Sequence, residues 1–138
     1  MFSKIGELDL LRKLYGKIYI TKIVCSEFGE DIPDWIEVST VASGIYEHLS
    51  GYLDEGEASS IALALEFESP LLIMDEIKGR RAARDMGLPV TGSLGLLIAA
   101  KEKGHIKQLK PVIEKIQKTN FRISKILIDR ALERVKEL

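Results

Sequence analysis

Short apolar runs alternate with stretches of helical periodicity along much of the chain, and this alternation predicts the fold class. The run Leu71–Met74 is short and apolar, which is typical of a strand buried on both faces. Helical spacing of apolar residues follows from Ile77 to Met86 and stops at Gly87. Strands that alternate with helices favour a parallel sheet covered by helices. The pattern therefore predicts an α/β protein.

The same patterns give expected bounds for the elements. Strands are predicted over residues 17–20, 35–40, 71–74 and 89–91. Helices are predicted over residues 5–15, 21–28, 54–67, 77–86 and 93–103, followed by one that begins at Pro111 and one capped by Ser124. Residues 41–52 fit either a short helix or a loop. The helix over 54–67 is expected to turn one face inward, formed by Ala58, Ile61, Ala62 and Leu65.

Composition narrows the class of protein further. The 138 residues are enough for a single domain, over 1–138, with a real core. A net charge of −1 means that any binding of nucleic acid needs a local basic patch. The single cysteine, Cys25, excludes an intrachain disulfide and fits a cytoplasmic protein. No apolar run approaches the roughly 20 residues that span a bilayer, and the charged Lys4 and Glu7 exclude a signal peptide.

An acid and three arginines follow the apolar run directly. Asp75 comes after Met74, and Arg80, Arg81 and Arg84 lie in the next predicted helix. Ligands of parallel α/β sheets gather at the carboxyl ends of the strands. Asp75 is therefore a candidate for a site that handles a metal or a phosphate. The alternative is that Asp75 is an N-cap, a position that favours Asp.

Two further acids lie near the ends of elements. Glu27 is in the short helix after the first strand, and Glu57 is in the first turn of the helix that Asp54 begins. Carboxylates gathered at one edge of a sheet repel one another unless Mg²⁺ or Mn²⁺, which prefer oxygen ligands, neutralises them. Each acid also has a plainer interpretation. Glu57 fits a capping box with Asp54, and Glu27 fits an ordinary acid on a helix surface.

Basic and small residues offer candidate contacts to phosphate. Arg80 and Arg84 are four residues apart and share a helix face, which fits either a phosphate backbone or a solvated surface. Gly79 lies in the same helix at a cost of about 1 kcal/mol relative to Ala, which indicates close approach by a neighbouring backbone. Ser93 opens a helix after Gly92, where free N–H groups can bind an anion, although an N-cap is the plainer interpretation.

A set of short segments in a fixed order carries a family resemblance over nearly the whole chain. The segments are Gly6–Leu11, Ile18–Thr21 with Glu27, Pro33–Val38, Gly56–Ala58, Ile61–Ala64, Asp75, Gly79–Arg80, Ala83, Gly87–Gly95 and Phe121–Ser124. In order and spacing the chain resembles the PIN domain (PilT N-terminus) superfamily. More narrowly, it resembles the small prokaryotic PIN-like family of predicted nucleic acid-binding proteins.

The resemblance implies a three-layer α/β/α sandwich with a parallel sheet. It also implies an Mg²⁺- or Mn²⁺-dependent ribonuclease, because PIN domains are typically such enzymes and many are toxins of toxin–antitoxin pairs. Glu27, Glu57 and Asp75 match the family's later acidic positions, as catalytic metal ligands, with Glu76 a weaker addition. RNA and an antitoxin protein are the implied partners, and Arg80, Arg84 and Ser93 are the candidate contacts to RNA. The last two helices are expected to pack on the sheet or to mediate a homo-oligomer such as a dimer.

One departure from the family pattern divides the functional hypotheses. PIN domains open with a central strand that ends in an aspartate, and this sequence begins almost at the helix that follows it. Either the start codon lies upstream or the site is depleted, and a missing strand leaves its neighbours with unpaired backbone groups. The chain is therefore expected to be a ribonuclease with little or no activity as given. The alternative is an inactive PIN-like scaffold that acts through self-association or partner binding.

Overall fold

The computed structural model describes residues 8–42, 44–119 and 121–137, which fall into two compact units. Lys17–Gly92 forms the first, which we call the central unit. Residues 8–16 and 93–137 belong to the second, the terminal unit. The single domain expected over residues 1–138 stays a prediction.

The elements follow the order that the sequence predicts. They are α1 (Asp9–Tyr15), β1 (Ile18–Thr21), α2 (Lys22–Phe28), β2 (Ile36–Ser39), α3 (Ile45–Leu49), α4 (Glu55–Ala64), β3 (Leu72–Ile73), α5 (Ile77–Asp85), β4 (Val90–Thr91), α6 (Ser93–Glu102), α7 (Leu109–Gln117) and α8 (Lys125–Arg134). The α/β class is confirmed. The predicted start of the first helix, at Ile5, lies outside the described residues.

Helix α4 ends earlier than predicted, at Ala64 rather than Phe67. Its last turn tightens, because the N–H of Glu66 bonds to the carbonyl of Leu63 and the N–H of Phe67 to that of Ala64, at 3.0 and 3.1 Å. Bonds between residues three apart are a common way to close the end of an α-helix. The apolar pattern alone does not show where this tightening begins.

The four strands form two separate parallel pairs, β1–β2 and β3–β4. The N–H groups of Leu72 and Met74 donate to carbonyls of the β4 segment at 3.0 and 2.9 Å. The N–H and C=O of Ile73 therefore point to the opposite edge of β3. Parallel pairing is confirmed. The sequence predicted a single sheet, however, and in the part of the chain that the structure describes β1–β2 and β3–β4 are separate two-stranded sheets. The predicted burial of the whole run also fails at Leu71, which is 46% exposed.

Side-chain caps fix the starts of three helices. Thr21, Asp54 and Ser124 each accept a hydrogen bond from the backbone N–H three residues further on. Gly29 ends α2 with φ 72°, a left-handed backbone that favours glycine. Ser93 differs slightly from the prediction, because it is the first residue of α6 rather than the residue before it.

Helix α4 is the centre of the central unit. Ala58, Ile61 and Ala62 are buried as predicted, but Ser59 and Leu63 on other sides of the helix are buried too. Burial extends around the helix because several elements pack against it: α2, α3, α5, β1 and β3. The prediction of one inward face was therefore wrong, and the predicted inner residue Leu65 is only half-buried.

The terminal unit consists of helices. Helix α1 packs against α6, α6 against α7, and α7 against α8. The larger buried side chains of this unit are Leu10, Leu11, Leu96, Leu97, Leu109, Val112, Ile113, Ile116 and Leu132. Across the described residues of both units, no helix is long and apolar enough to cross a membrane.

Glu137 holds the start of α7 from a distant position in the chain. Its carboxylate accepts hydrogen bonds from the N–H groups of Leu109 and Lys110, at 2.6 and 3.0 Å, and lies 3.4 Å from the Lys101 ammonium. Burial acts to raise the pKa of Glu137, but the two backbone donors and Lys101 outweigh it, so the pKa lies below its ordinary value. The charged form of Glu137 therefore stabilises the fold.

We expect Glu137→Gln to lower the free energy of unfolding by about 1 kcal/mol, the usual loss for a helix N-cap. An acid with a lowered pKa stabilises the native state above its unfolded pKa of about 4.3, and this stability is lost as the pH falls through the lowered native value. The difference between the two proteins should be full at pH 7 and shrink in acid. Urea unfolding at several pH values measures it. Glu114→Gln, on the exposed side of α7, is the control, and equal losses in both variants would contradict the capping role.

Candidate functional site

The carboxyl end of the β3–β4 pair brings together Asp75, Arg80 and Gly92. Asp75 and Gly92 follow two strands that run parallel, so both come out at the same edge. A Cβ atom built on Gly92 would lie 3.0 Å from Asp75 Oδ1 and 3.0 Å from Arg80 Nη1. The Asp75 carboxylate and the Arg80 guanidinium therefore both lie against the backbone of Gly92.

The two arginines predicted to share a helix face have different environments. Arg84 is exposed, whereas Arg80 is half-buried. Arg80 Nε is buried and has no hydrogen-bond partner among the residues that the structure describes. A buried donor without an acceptor is destabilising, and an anionic oxygen is the strongest acceptor for a guanidinium. Arg80 is therefore the better placed of the two to receive a phosphate oxygen beside Asp75.

Glu27 is exposed on α2 and lies against the first turn of α4. A Cβ atom built on Gly56 would lie 2.5 Å from Glu27 Oε1. The carboxylate therefore occupies the space that a side chain at residue 56 would need. This contact places the predicted acid of α2 beside the turn of α4 that carries Glu57.

A buried chain of hydrogen bonds links the starts of α2 and α4. Thr21 Oγ1 accepts from the N–H of Val24 at 3.1 Å and lies 2.8 Å from Ser59 Oγ. The Ser59 hydroxyl donates to the Gly56 carbonyl at 3.0 Å. Since Ser59 donates there, the Thr21 hydroxyl is the donor between the two side chains. The chain fixes the helix that carries Glu27 relative to the helix that carries Glu57.

Glu57 takes part in the capping box that the sequence offered as its plainer interpretation. The Asp54 carboxylate accepts from the N–H of Glu57 at 2.8 Å, and the Asp54 backbone bonds back to the Glu57 carboxyl. Burial raises the pKa of Glu57, and the negative charges of Asp54 and Glu76 raise it further. The hydrogen bond from Asp54 and the ammonium of Lys78 offset only part of this. Glu76, the weaker candidate in the sequence, is thus an electrostatic neighbour of Glu57.

Each of the three predicted acids lies against a buried glycine. The pairs are Glu27 with Gly56, Glu57 with Gly79, and Asp75 with Gly92. A Cβ on Gly79 would lie 3.3 Å from the Glu57 carboxyl carbon and would also collide with Met74 Sδ. The close approach predicted at Gly79 is therefore real, but side chains make it rather than a backbone.

Convergence of the three acids on one ion stays a prediction. In the described ranges, no three Asp, Glu, His or Cys side chains are grouped closely enough to hold a metal ion. Ser93, the third candidate contact to RNA, is 3% exposed and belongs to the terminal unit. Its role also stays a prediction.

Sequence reasoning missed two features of this region. It assigned no role to the bond between Thr21 and Ser59, because polar residues 38 positions apart give no periodic signal. It also passed over Gly56, although a glycine between Glu55 and Glu57 in the first turn of a helix is a weak sign of close packing.

We expect Glu57→Gln to raise the melting temperature at neutral pH. The amide keeps an oxygen for the capping bond but carries no charge for burial and the neighbouring acids to penalise. An acid with a raised pKa stabilises the native state fully below its unfolded pKa, and this stability is lost as the pH rises through the native value. The advantage of the variant should therefore vanish in acid. Thermal unfolding from pH 4 to pH 7 measures it, with the exposed Glu55→Gln as control. A drop at neutral pH confined to Glu57→Gln would refute the expectation.

Comparison with known proteins identifies the family of the chain. A family model described as a PIN domain (DUF3368) matches residues 1–137. No curated protein and no solved structure matches the chain. The match covers both the parallel strands and the three acids that follow or flank them. The chain therefore belongs to the PIN domain superfamily.

Proposed function

We propose that this PIN domain is a metal-dependent ribonuclease in which Glu27, Glu57 and Asp75 hold Mg²⁺ or Mn²⁺. The observation that carries the proposal is that the Asp75 carboxylate and the Arg80 guanidinium both lie close to Gly92. Cleavage of a phosphodiester needs a carboxylate that binds a cation and a cationic group that binds the phosphate. Both stand together at the carboxyl end of parallel strands, where such folds bind ligands.

The donors fit a hard divalent cation in kind. All three are carboxylates, and Mg²⁺ is commonly held by one or two carboxylates, with water and substrate phosphates completing its shell. The raised pKa of Glu57 supports the proposal too, because a carboxyl group that is partly buried and lies near Asp54 and Glu76 gains from a nearby cation. When bound, the ion would supply an activated water and neutralise charge on the phosphate.

The protein's own side chains have distinct tasks in this proposal. The half-buried Arg80 guanidinium, which lies beside Gly92, donates to a phosphate oxygen and so sets the position of the RNA backbone. The exposed Arg84 adds a contact that is independent of sequence. The bond between Thr21 and Ser59 keeps Glu27 at a fixed distance from α4. The resemblance to toxins extends the proposal to a cytoplasmic toxin whose partner is an antitoxin protein.

Cleavage of a single-stranded RNA in Mn²⁺ tests the proposal. The wild-type rate is expected to be low, and Asp75→Asn and Glu27→Gln should each lower it by a further tenfold or more, because each removes a charge that holds the ion. Chelation with EDTA should abolish cleavage in the wild type. Asp34→Asn and Glu30→Gln are matched controls, since both acids are exposed and lie outside the site. Cleavage that survives both site variants and EDTA would rule the proposed site out.

A second candidate function is a scaffold that acts through self-association. Two observations favour it. Glu57 is already engaged in a capping box, and α8 exposes two adjacent apolar side chains, Ile126 at 66% and Leu127 at 50%. The same helix borders a groove between α7 and α8, whose lining includes Ile113, Ile128 and Leu132. Exposed apolar side chains are typical of a contact surface, and the apolar groove lies along another side of the same helix.

Light scattering after size exclusion tests this second candidate. We expect a dimer that Ile126→Glu together with Leu127→Glu converts to a monomer. Ile77→Glu is the matched control, because Ile77 is 74% exposed on α5 and lies outside this surface. A wild type that is monomeric at all concentrations would exclude self-association through α8.

A further inference from the structure

We propose that Gly56 and Gly92 are positioning residues. Because glycine has no side chain, Gly56 leaves room for the Glu27 carboxylate and Gly92 leaves room for the Asp75 carboxylate. The inference rests on the proposed function for its purpose, since it names residues that shape the same acidic site. It goes further in assigning a task to two residues that bear no functional group. Its structural part can be tested without metal or RNA.

The contacts are closest at Gly56. A Cβ atom there would lie 2.5 Å from Oε1 and 3.1 Å from Oε2 of Glu27, so both carboxylate oxygens lie close to the position that the Cβ would take. At Gly92 a Cβ would stand 3.0 Å from both Asp75 Oδ1 and Arg80 Nη1. Carbon atoms in folded proteins essentially never lie as close to oxygen as 2.5 Å, so a side chain at residue 56 would displace Glu27.

Backbone geometry does not explain either glycine. Among the glycines that the structure describes, positive φ values occur at others, such as Gly16 and Gly29, and not at Gly56 or Gly92. Gly56 lies within α4, where Ala is favoured over Gly by up to about 1 kcal/mol. Space for a neighbouring carboxylate is therefore the reason that the structure offers for glycine at these positions.

The position of Glu27 also makes electrostatic sense. Gly56 is in the first turn of α4, where backbone N–H groups have no partner within the helix. The positive end of the helix favours an anion there. With no Cβ in the way, the Glu27 carboxylate approaches that end of the helix closely.

A double-mutant cycle in thermal unfolding tests the contact at Gly56. In a Glu27→Ala background, Gly56→Ala should raise the melting temperature by about 2–4 °C, because only the helix preference remains. In the native background the gain should be smaller or absent, because the new methyl group must displace the carboxylate. Gly92 lies outside a helix, so a second cycle with Gly92→Ala and Asp75→Ala has a different expectation: Gly92→Ala should lower the melting temperature in the native background, and lower it less in the Asp75→Ala background, where only Arg80 Nη1 remains close to the new methyl group. Equal shifts in both backgrounds would overturn the proposal for that glycine.

Binding of Mn²⁺, followed by electron paramagnetic resonance, adds a readout that a purely structural role would not change. Gly56→Ala keeps every acid of the site, yet it should weaken Mn²⁺ binding about tenfold, as loss of ligand support does elsewhere. Gly44→Ala is the control, since the nearest atom to its Cβ would be Glu47 Oε2 at an ordinary 3.9 Å. Unchanged affinity in Gly56→Ala would overturn the positioning role. A wild type that binds no Mn²⁺ would instead end the proposed function, while the two cycles still decide the contacts.

Discussion

Close packing around α4 is the constraint on which the central unit depends. Five elements lie against this helix, and its small side chains let them approach. Gly56, Ala58, Ser59, Ala62 and Ala64 are all buried. A larger residue at Ala58, Ser59 or Ala62 would force a neighbouring helix or strand outward, because protein interiors are packed as densely as organic crystals. Helix α4 therefore lacks the usual amphipathic pattern, in which one face is apolar and buried and the opposite face is exposed to solvent.

The candidate site follows from that packing. The first turn of α4 is fixed by the Asp54 cap on one side and by the Thr21 and Ser59 hydroxyls on the other. Rigid surroundings of this kind hold side chains in defined positions better than loops do. The acids that lie against this frame therefore come from separate elements yet share a common support. Burial raises the pKa of Glu57, and the neighbouring charges of Asp54 and Glu76 raise it further, so this carboxyl group lies in an environment that disfavours its charged form.

The sequence predicted the order and type of the elements because local signals decide them. Thr21, Asp54 and Ser124 cap helices in the structure, as their positions in the pattern indicate. What it could not predict depends on contacts between distant residues. The all-round burial of α4 requires knowing how many neighbours it has, and the split between the two strand pairs requires knowing which edges are hydrogen-bonded. Arg80 and Arg84 have the same helical register, yet only the tertiary surroundings bury Arg80 Nε. The acids were predicted from their positions at the ends of elements, and their role stays a prediction, whereas Gly56 and Gly92 carry no functional group that could have indicated one.

The two units differ in how they can form while the chain is being made. The central unit is continuous in sequence, whereas the terminal unit joins segments that lie on either side of it. Helix α1, with its buried Leu10 and Leu11, packs against α6, which is synthesised only after the whole of Lys17–Gly92. At about 5–20 residues per second, the ribosome takes on the order of several seconds to cover that interval. During this interval α6 has not been synthesised, so the apolar side of α1 cannot pack against it. The terminal unit is therefore the part of the molecule whose apolar residues stay exposed longest during synthesis.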